Sequence, residues 1–107
     1  MKDDNVLIPV AMQIIIFAGN ARTKTNQALD YLKTKDFSKA KEYITEARQE
    51  IINAHKEQTD IIQKEAAGES YETCLLFTHA QDTLMTIMSE VNLAEKMIEL
   101  FEIFMVR

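Results

Sequence analysis

Cys74-Leu75-Leu76-Phe77-Thr78-His79-Ala80-Gln81-Asp82-Thr83-Leu84-Met85 is an apolar run interrupted by one histidine and one carboxylate. Beyond it, Ile87, Met88, Val91, Leu93, Met97, Ile98, Leu100, Phe101, Ile103 and Phe104 continue the pattern and, at 3.6 residues per turn, occupy nearly every angular sector of a helix. A helix that is apolar all round requires burial on all sides. Two partner helices within one short chain cover only part of its circumference, so the remainder is expected to face other copies of the chain. The run therefore predicts a homo-oligomer with this helix inside.

The rest of the chain fits that reading. It has 107 residues, enough for one domain that buries roughly two-thirds of its unfolded surface, and not for a second core. Two glycines and a single proline against 47% hydrophobic residues leave little turn chemistry for strands, which makes the expected class all-α. Ile8, Ala11, Ile15, Ala18, Leu29 and Leu32 share one face of a first helix, expected over about 8–33 and ended by Thr34-Lys35-Asp36-Phe37. Asp36 or Ser38 can cap a second helix over 37–66, whose stripe is Phe37, Ala40, Ile44, Ala47, Ile51, Ala54, Gln58 and Ile61. Its other face carries Lys41, Glu42, Arg48, Lys56, Glu57 and Lys64 and reads as solvated. Gly68 suits a left-handed helix end and Ser70 a cap for a third helix over 71–105. Segments of roughly 30 residues extend about 45 Å each, so the expected architecture is an elongated antiparallel three-helix bundle.

Charge and cysteine usage narrow the function. A net charge of −5 with interleaved acids and bases offers no basic stripe for nucleic acid. Cys74 is the sole cysteine and lies in an apolar run, as a reduced cytosolic protein would have it, with a reactive thiol the lesser reading. Lys2 followed by an apolar segment and Ala18-Gly19-Asn20-Ala21 resembles a leader peptide, but Asp3 and Asp4 make its head acidic and Pro9 and Gln13 interrupt it. No run reaches the roughly 20 apolar residues of a membrane span. The expectation is a cytoplasmic protein.

His79, Asp82, Thr83 and Thr86 lie at i, i+3, i+4 and i+7, which gathers them on one helix face. Around an oligomer axis each Asp82 meets its copies, and like charges that close raise a carboxyl pKa or recruit a cation. A lone histidine on an apolar helix is ordinarily a hydrogen-bonded core residue. His55, at the edge of the second stripe, is read in that way, and the methionines as core filler.

Leu75-Leu76-Phe77-Thr78-His79-Ala80-Gln81-Asp82-Thr83-Leu84-Met85-Thr86 resembles the signature of the lactose/cellobiose-type enzyme IIA of the bacterial sugar phosphotransferase system. Ala54-His55-Lys56-Glu57-Gln58-Thr59-Asp60-Ile61-Ile62-Gln63-Lys64-Glu65-Ala66 resembles a second stretch of that family, and Ala18-Gly19-Asn20-Ala21-Arg22 and Asp36-Phe37-Ser38-Lys39-Ala40 resemble its early elements. The resemblance implies a homotrimeric, phosphohistidine-forming phosphotransferase component. In it His79 accepts a phosphoryl group from the phosphocarrier protein HPr and passes it to a cysteine of enzyme IIB during uptake of a β-linked disaccharide. It further implies that Asp82 meets its copies on the trimer axis and binds one divalent cation per trimer, usually assigned as magnesium.

Such a role suits imidazole, which is largely neutral at pH 7 and attacks phosphorus without a strong base. The phosphoryl group brings about −1.5 to −2 charges and needs donors nearby. Thr78, Thr83 and Gln81 are the candidates; Gln81 lies about 200° from His79 around the helix and serves only from a neighbouring subunit. Thr83 stands where family members often carry a second histidine. A histidine phosphotransfer domain of two-component signalling is the nearest alternative, though it is a monomeric four-helix bundle; a non-catalytic oligomeric scaffold is the other. Lactose, cellobiose and chitobiose are equally compatible with the chain.

Overall fold

The computed structural model describes residues 5–105, which form three helices: α1 (Leu7–Leu32), α2 (Phe37–Ala66) and α3 (Leu75–Met105). Lys2, Asp3 and Asp4, which bear on the leader-peptide reading, lie outside the described residues. The molecule measures 60 × 24 × 16 Å, the elongated bundle that the helix lengths require. Ion pairs fix the order of levels: Arg22 of α1 meets Glu90 of α3, and Arg48 and Lys41 of α2 meet Glu95 and Glu102 of α3. Thus α1 and α3 run parallel, with α2 antiparallel to both.

The buried positions alternate by three and four residues in every helix. They are Leu7, Ala11, Ile14, Ala18, Ala21, Thr25 and Ala28 in α1, the predicted stripe in α2, and Phe77, Ala80, Leu84, Ile87, Val91, Ala94 and Ile98 in α3. A seven-residue repeat of this kind winds helices into a left-handed supercoil with side chains interlocking at the seam. Alanine at so many of the contacts lets the backbones approach closely, with Ile14, Leu84, Ile87, Ile98 and Val91 filling the space between. Thr25 is tolerated in this core because its hydroxyl donates to the carbonyl of Ala21 at 2.8 Å.

The predicted stripe of α1 was rotated by part of a turn. Ala11 and Ala18 are buried as expected, but Ile14, Ala21 and Ala28 share the core with them, while Ile8, Ile15, Leu29 and Leu32 are half-buried along the flank. Nearly every residue of α1 is apolar at its N-terminal end, so composition alone does not select the inward face.

Both helix ends preceding a turn close with a Schellman motif. At the end of α1 the N–H of Asp36 donates to the carbonyl of Tyr31 (3.0 Å) and that of Lys35 to Leu32 (3.1 Å). After α2 the N–H of Glu69 donates to Lys64 and that of Gly68 to Glu65, each at 3.0 Å. The motif needs a left-handed residue, supplied by Gly68 (φ +106°) in the second case and by Lys35 (φ +59°) in the first. Asp36 caps α2 by accepting from the N–H of Lys39 at 3.1 Å, the choice left open between it and Ser38. The third helix starts later than expected, at Leu75 rather than Tyr71. Ser70 caps nothing; the first helical carbonyl bond is the N–H of Thr78 to Cys74 at 3.2 Å. Residues 69–74 are irregular instead, and the Asn5 amide reaches across to the carbonyl of Thr73 at 3.4 Å.

Leu84 is fully buried between α3 and its two partners. Leu84→Ala is expected to destabilise the protein by about 2–5 kcal/mol, read as a lower urea midpoint at unchanged m-value.

Candidate functional site

The same repeat that buries one face of α3 fixes what the opposite face shows. Leu75, Asp82, Ser89, Lys96 and Ile103 recur every seven residues directly opposite the core, and all are exposed. His79, Thr86, Leu93 and Leu100 form the adjoining line, also exposed. His79 and Asp82 therefore stand one turn apart on the outermost surface of the chain, carried by a helix whose inner face is anchored one residue away at Ala80.

The predicted companions divide around this ridge. Thr86 extends the polar patch on the exposed face, and Thr83, one turn beyond His79, is half-buried. Thr78 donates its hydroxyl to the carbonyl of Cys74 at 3.4 Å. Thr78 and Gln81 line a cleft of about 260 Å³ on the α2 side, together with Ile62, Glu65, Tyr71 and Cys74. His79 is not among the residues of that cleft, as the angular separation of Gln81 and His79 requires. The structure thus brings His79, Asp82 and Thr86 together within one chain, and leaves Gln81 and Thr78 on the other shoulder of the helix.

The exposed face is apolar along much of its length. Leu75 is 82% exposed and Ile103 and Phe104 are each 67% exposed, with Leu93, Leu100 and Phe101 open as well. Three helices do not cover α3, as its composition anticipates. The exposed aliphatic and aromatic side chains gather in the C-terminal part of α3, from Leu93 to Met105, far more than scattered surface leucines would give.

One expectation is corrected here. His55 is exposed and is not packed in the core; it shares a hydrogen bond of 3.1 Å with Thr59 and borders an open groove of about 530 Å³ with Ile51, Ile52, Lys56 and Met88. Its position on the α3-facing edge of α2 points it along the groove between helices, a placement that a one-helix stripe does not reveal. Asp82 contributes one carboxylate per chain to this face, and among the described residues no three His, Cys, Asp or Glu side chains of one chain gather as a metal site would need.

The helix ladder around the ridge was not apparent in the sequence. Arg22 makes a two-pronged contact with Glu90 (3.0 and 2.9 Å), and Arg48 donates to both Glu95 and Asn92 at 3.0 Å. The hydrogen bond from Arg22 to Glu90 raises the pKa of the guanidinium further. Half-exposed pairs of this sort each contribute at most about 1 kcal/mol; their effect is to set the angle at which α3 presents its outer face.

Comparison with known proteins places the fold and the site in a family. The family described as "PTS system, Lactose/Cellobiose specific IIA subunit" matches residues 9–102, and the chain belongs to it. The chain is 40% identical over 93 residues to the lichenan-specific phosphotransferase enzyme IIA component of Bacillus subtilis, covering 87% of this chain and 84% of that protein. In structure it is similar to the PTS cellobiose-specific enzyme IIA of Bacillus anthracis, with a TM-score of 0.87 and 34% identity over 95% of this chain and 94% of the other. It is also similar to the IIA subunit in the solution structures of the IIA(Chitobiose)–HPr complex of Escherichia coli, with a TM-score of 0.76 and 35% identity over 90% and 93% of the two chains. The protein is therefore a phosphotransferase-system component of the lactose/cellobiose IIA type, and no described helix is long and apolar enough to cross a membrane.

Because the His79 side chain is exposed and contributes nothing to the core, His79→Ala is expected to change the free energy of unfolding by no more than about 0.5 kcal/mol and to leave the far-UV circular dichroism intact. A larger loss in a urea titration would make the imidazole a structural residue.

Proposed function

We propose that the protein is a cytoplasmic phosphoryl carrier, taking a phosphoryl group from HPr onto His79 and giving it to a cysteine of enzyme IIB in the uptake of a β-linked disaccharide. The observation that carries the reading is the exposure of His79 on the outward ridge of α3, within the run that resembles the family signature. The similarity to a IIA subunit solved with HPr supports the choice of donor.

The chemistry asks little of the protein beyond position. A neutral imidazole nitrogen attacks the phosphorus of the donor protein in line; the new N–P bond forms as the bond from phosphorus to the donor breaks. In the second transfer a thiolate of enzyme IIB attacks the same phosphorus, the N–P bond breaks and the imidazole is regenerated. His79 lies beside the line of Asp82, on a shoulder of α3, where protein partners can reach it in succession. Thr83 and Thr86 are the hydroxyl groups nearest along the same helix for the added charge.

The working unit is proposed to be a homotrimer with the three α3 helices inside. The strip of exposed apolar residues supports it, since a rotation axis running alongside α3 buries Leu75, Leu93, Leu100 and Ile103 against their own copies. In that arrangement the two shoulders of α3 face different neighbours, so His79 of one protomer lies toward the shoulder of the next that bears Thr78 and Gln81. Gln81 then serves as a donor to the phosphoryl group across the interface.

The axial line also contains Asp82, and three copies of one carboxylate match the oxygen-donor preference of a divalent cation such as magnesium. The single carboxylate per chain fits only a shared site. When bound, the cation would offset the mutual repulsion of the three carboxylates; the protein's part is to hold them at a common level.

Phosphorylated HPr is expected to label the wild-type protein and to leave His79→Ala unlabelled, with the label acid-labile. Labelling that survives the substitution removes His79 from the relay. Asp82→Leu is expected to retain the trimer in sedimentation and to melt at or above the wild-type temperature, since it replaces crowded like charges by apolar surface. A chelator should lower the melting temperature of the wild type and leave that of the variant unchanged.

A further inference from the structure

The seven-residue line that carries Asp82 carries a second ionisable residue two repeats later, Lys96. It is exposed on the outermost face of α3, about 21 Å along the helix from Asp82 at 1.5 Å per residue. Its immediate seam neighbours are Leu93, Leu100 and Ile103, which are 61%, 54% and 67% exposed and have no covering element within the chain.

Four cations of the bundle are paired across helices: Arg22 with Glu90, Lys24 with Glu46, Lys41 with Glu102 and Arg48 with Glu95. Lys96 has no such partner among the described residues. The two acidic side chains nearest to it in sequence are turned elsewhere, for Glu95 and Glu99 line a groove with Lys41, Ile44 and Thr45 of α2, on the flank of the helix. The seven-residue line itself carries no carboxylate after Asp82, its later members being Ser89, Lys96 and Ile103.

We infer that three Lys96 ammonium groups, one from each α3 of the trimer, frame a binding site on the three-fold axis for a tetrahedral oxyanion such as inorganic phosphate. The inference rests on the trimeric arrangement proposed above. Rotation about an axis alongside α3 sets every residue of this line against its own copies at one level. A lysine at a single seam position between leucines is a costly element that specifies register and oligomer state, and three such charges in an apolar surround call for a counter-ion. An oxyanion carrying close to two negative charges accepts a charge-assisted hydrogen bond from each ammonium. Ser89, one repeat toward Asp82 on the same line, adds a hydroxyl level between the two charged ones.

The test uses the full-length protein, its mass followed by sedimentation equilibrium and its anion binding by titration calorimetry with inorganic phosphate at constant ionic strength. The expected result is a trimer that binds one phosphate per three chains and melts several degrees higher when phosphate is present. Lys96→Met is expected to remain trimeric, to melt above the anion-free wild type and to ignore phosphate, whereas Lys96→Arg keeps the binding. A wild-type trimer whose melting is indifferent to phosphate, or a Lys96→Met trimer that binds phosphate as the wild type does, overturns the anion site and leaves the trimer standing. A monomeric wild type overturns both.

Discussion

A single helix, α3, has to satisfy two interfaces at once, and its seven-residue repeat is what allows it. Phe77, Ala80, Leu84, Ile87, Val91, Ala94 and Ile98 spend one face on the chain's own core. With that face committed, the angular positions of all other residues on α3 follow, including the exposed line of Leu75, Asp82, Ser89, Lys96 and Ile103. Shifting the inward face by one residue would turn His79 through about 100° and bury it against a partner helix. The site is thus a by-product of core packing, which is why chemistry-bearing residues can sit on a rod without any loop to position them.

The remaining helices hold α3 at a fixed angle from both sides. Close contacts at Ala11, Ala18, Ala47 and Ala54 bring α1 and α2 together into a platform, and the ion pairs from Arg22, Arg48 and Lys41 brace α3 along its length. The apolar packing supplies the bulk of the stability, since half-exposed ion pairs are weak. The pairs instead select one rotation of α3 among those that the smooth alanine-lined surface would accept. Membership of the lactose/cellobiose IIA family gives this arrangement its context.

Much of this was legible in the sequence because helices announce themselves by spacing. The stripe of α2 was read correctly residue for residue, since its outer face is charged and leaves no ambiguity. In α1 the N-terminal half is apolar on several faces, and Ile15 was taken for Ile14 as a result. The start of α3 lies later than the spacing predicts because Tyr71 and Thr73 have no periodic signal, and the irregular segment before it is held by contacts remote in sequence, such as Asn5 to Thr73. The end of α1 gave no glycine to read, the left-handed position being filled by Lys35. His79 and Asp82 were legible as polar intrusions in an apolar run, whereas the exposure of His55 depends on the angle between α2 and α3 and has no one-helix signature.

The alanine contacts have one more consequence. Side chains without rotatable bonds offer no alternative packing, so the platform beneath α3 has no second arrangement into which it could settle when charge is added to His79. In the relay proposed above, a stiff carrier of this type signals its loaded state through the phosphoryl group alone. Its throughput is then governed by how often partners collide with the ridge and let go, not by any refashioning of the bundle between one delivery and the next.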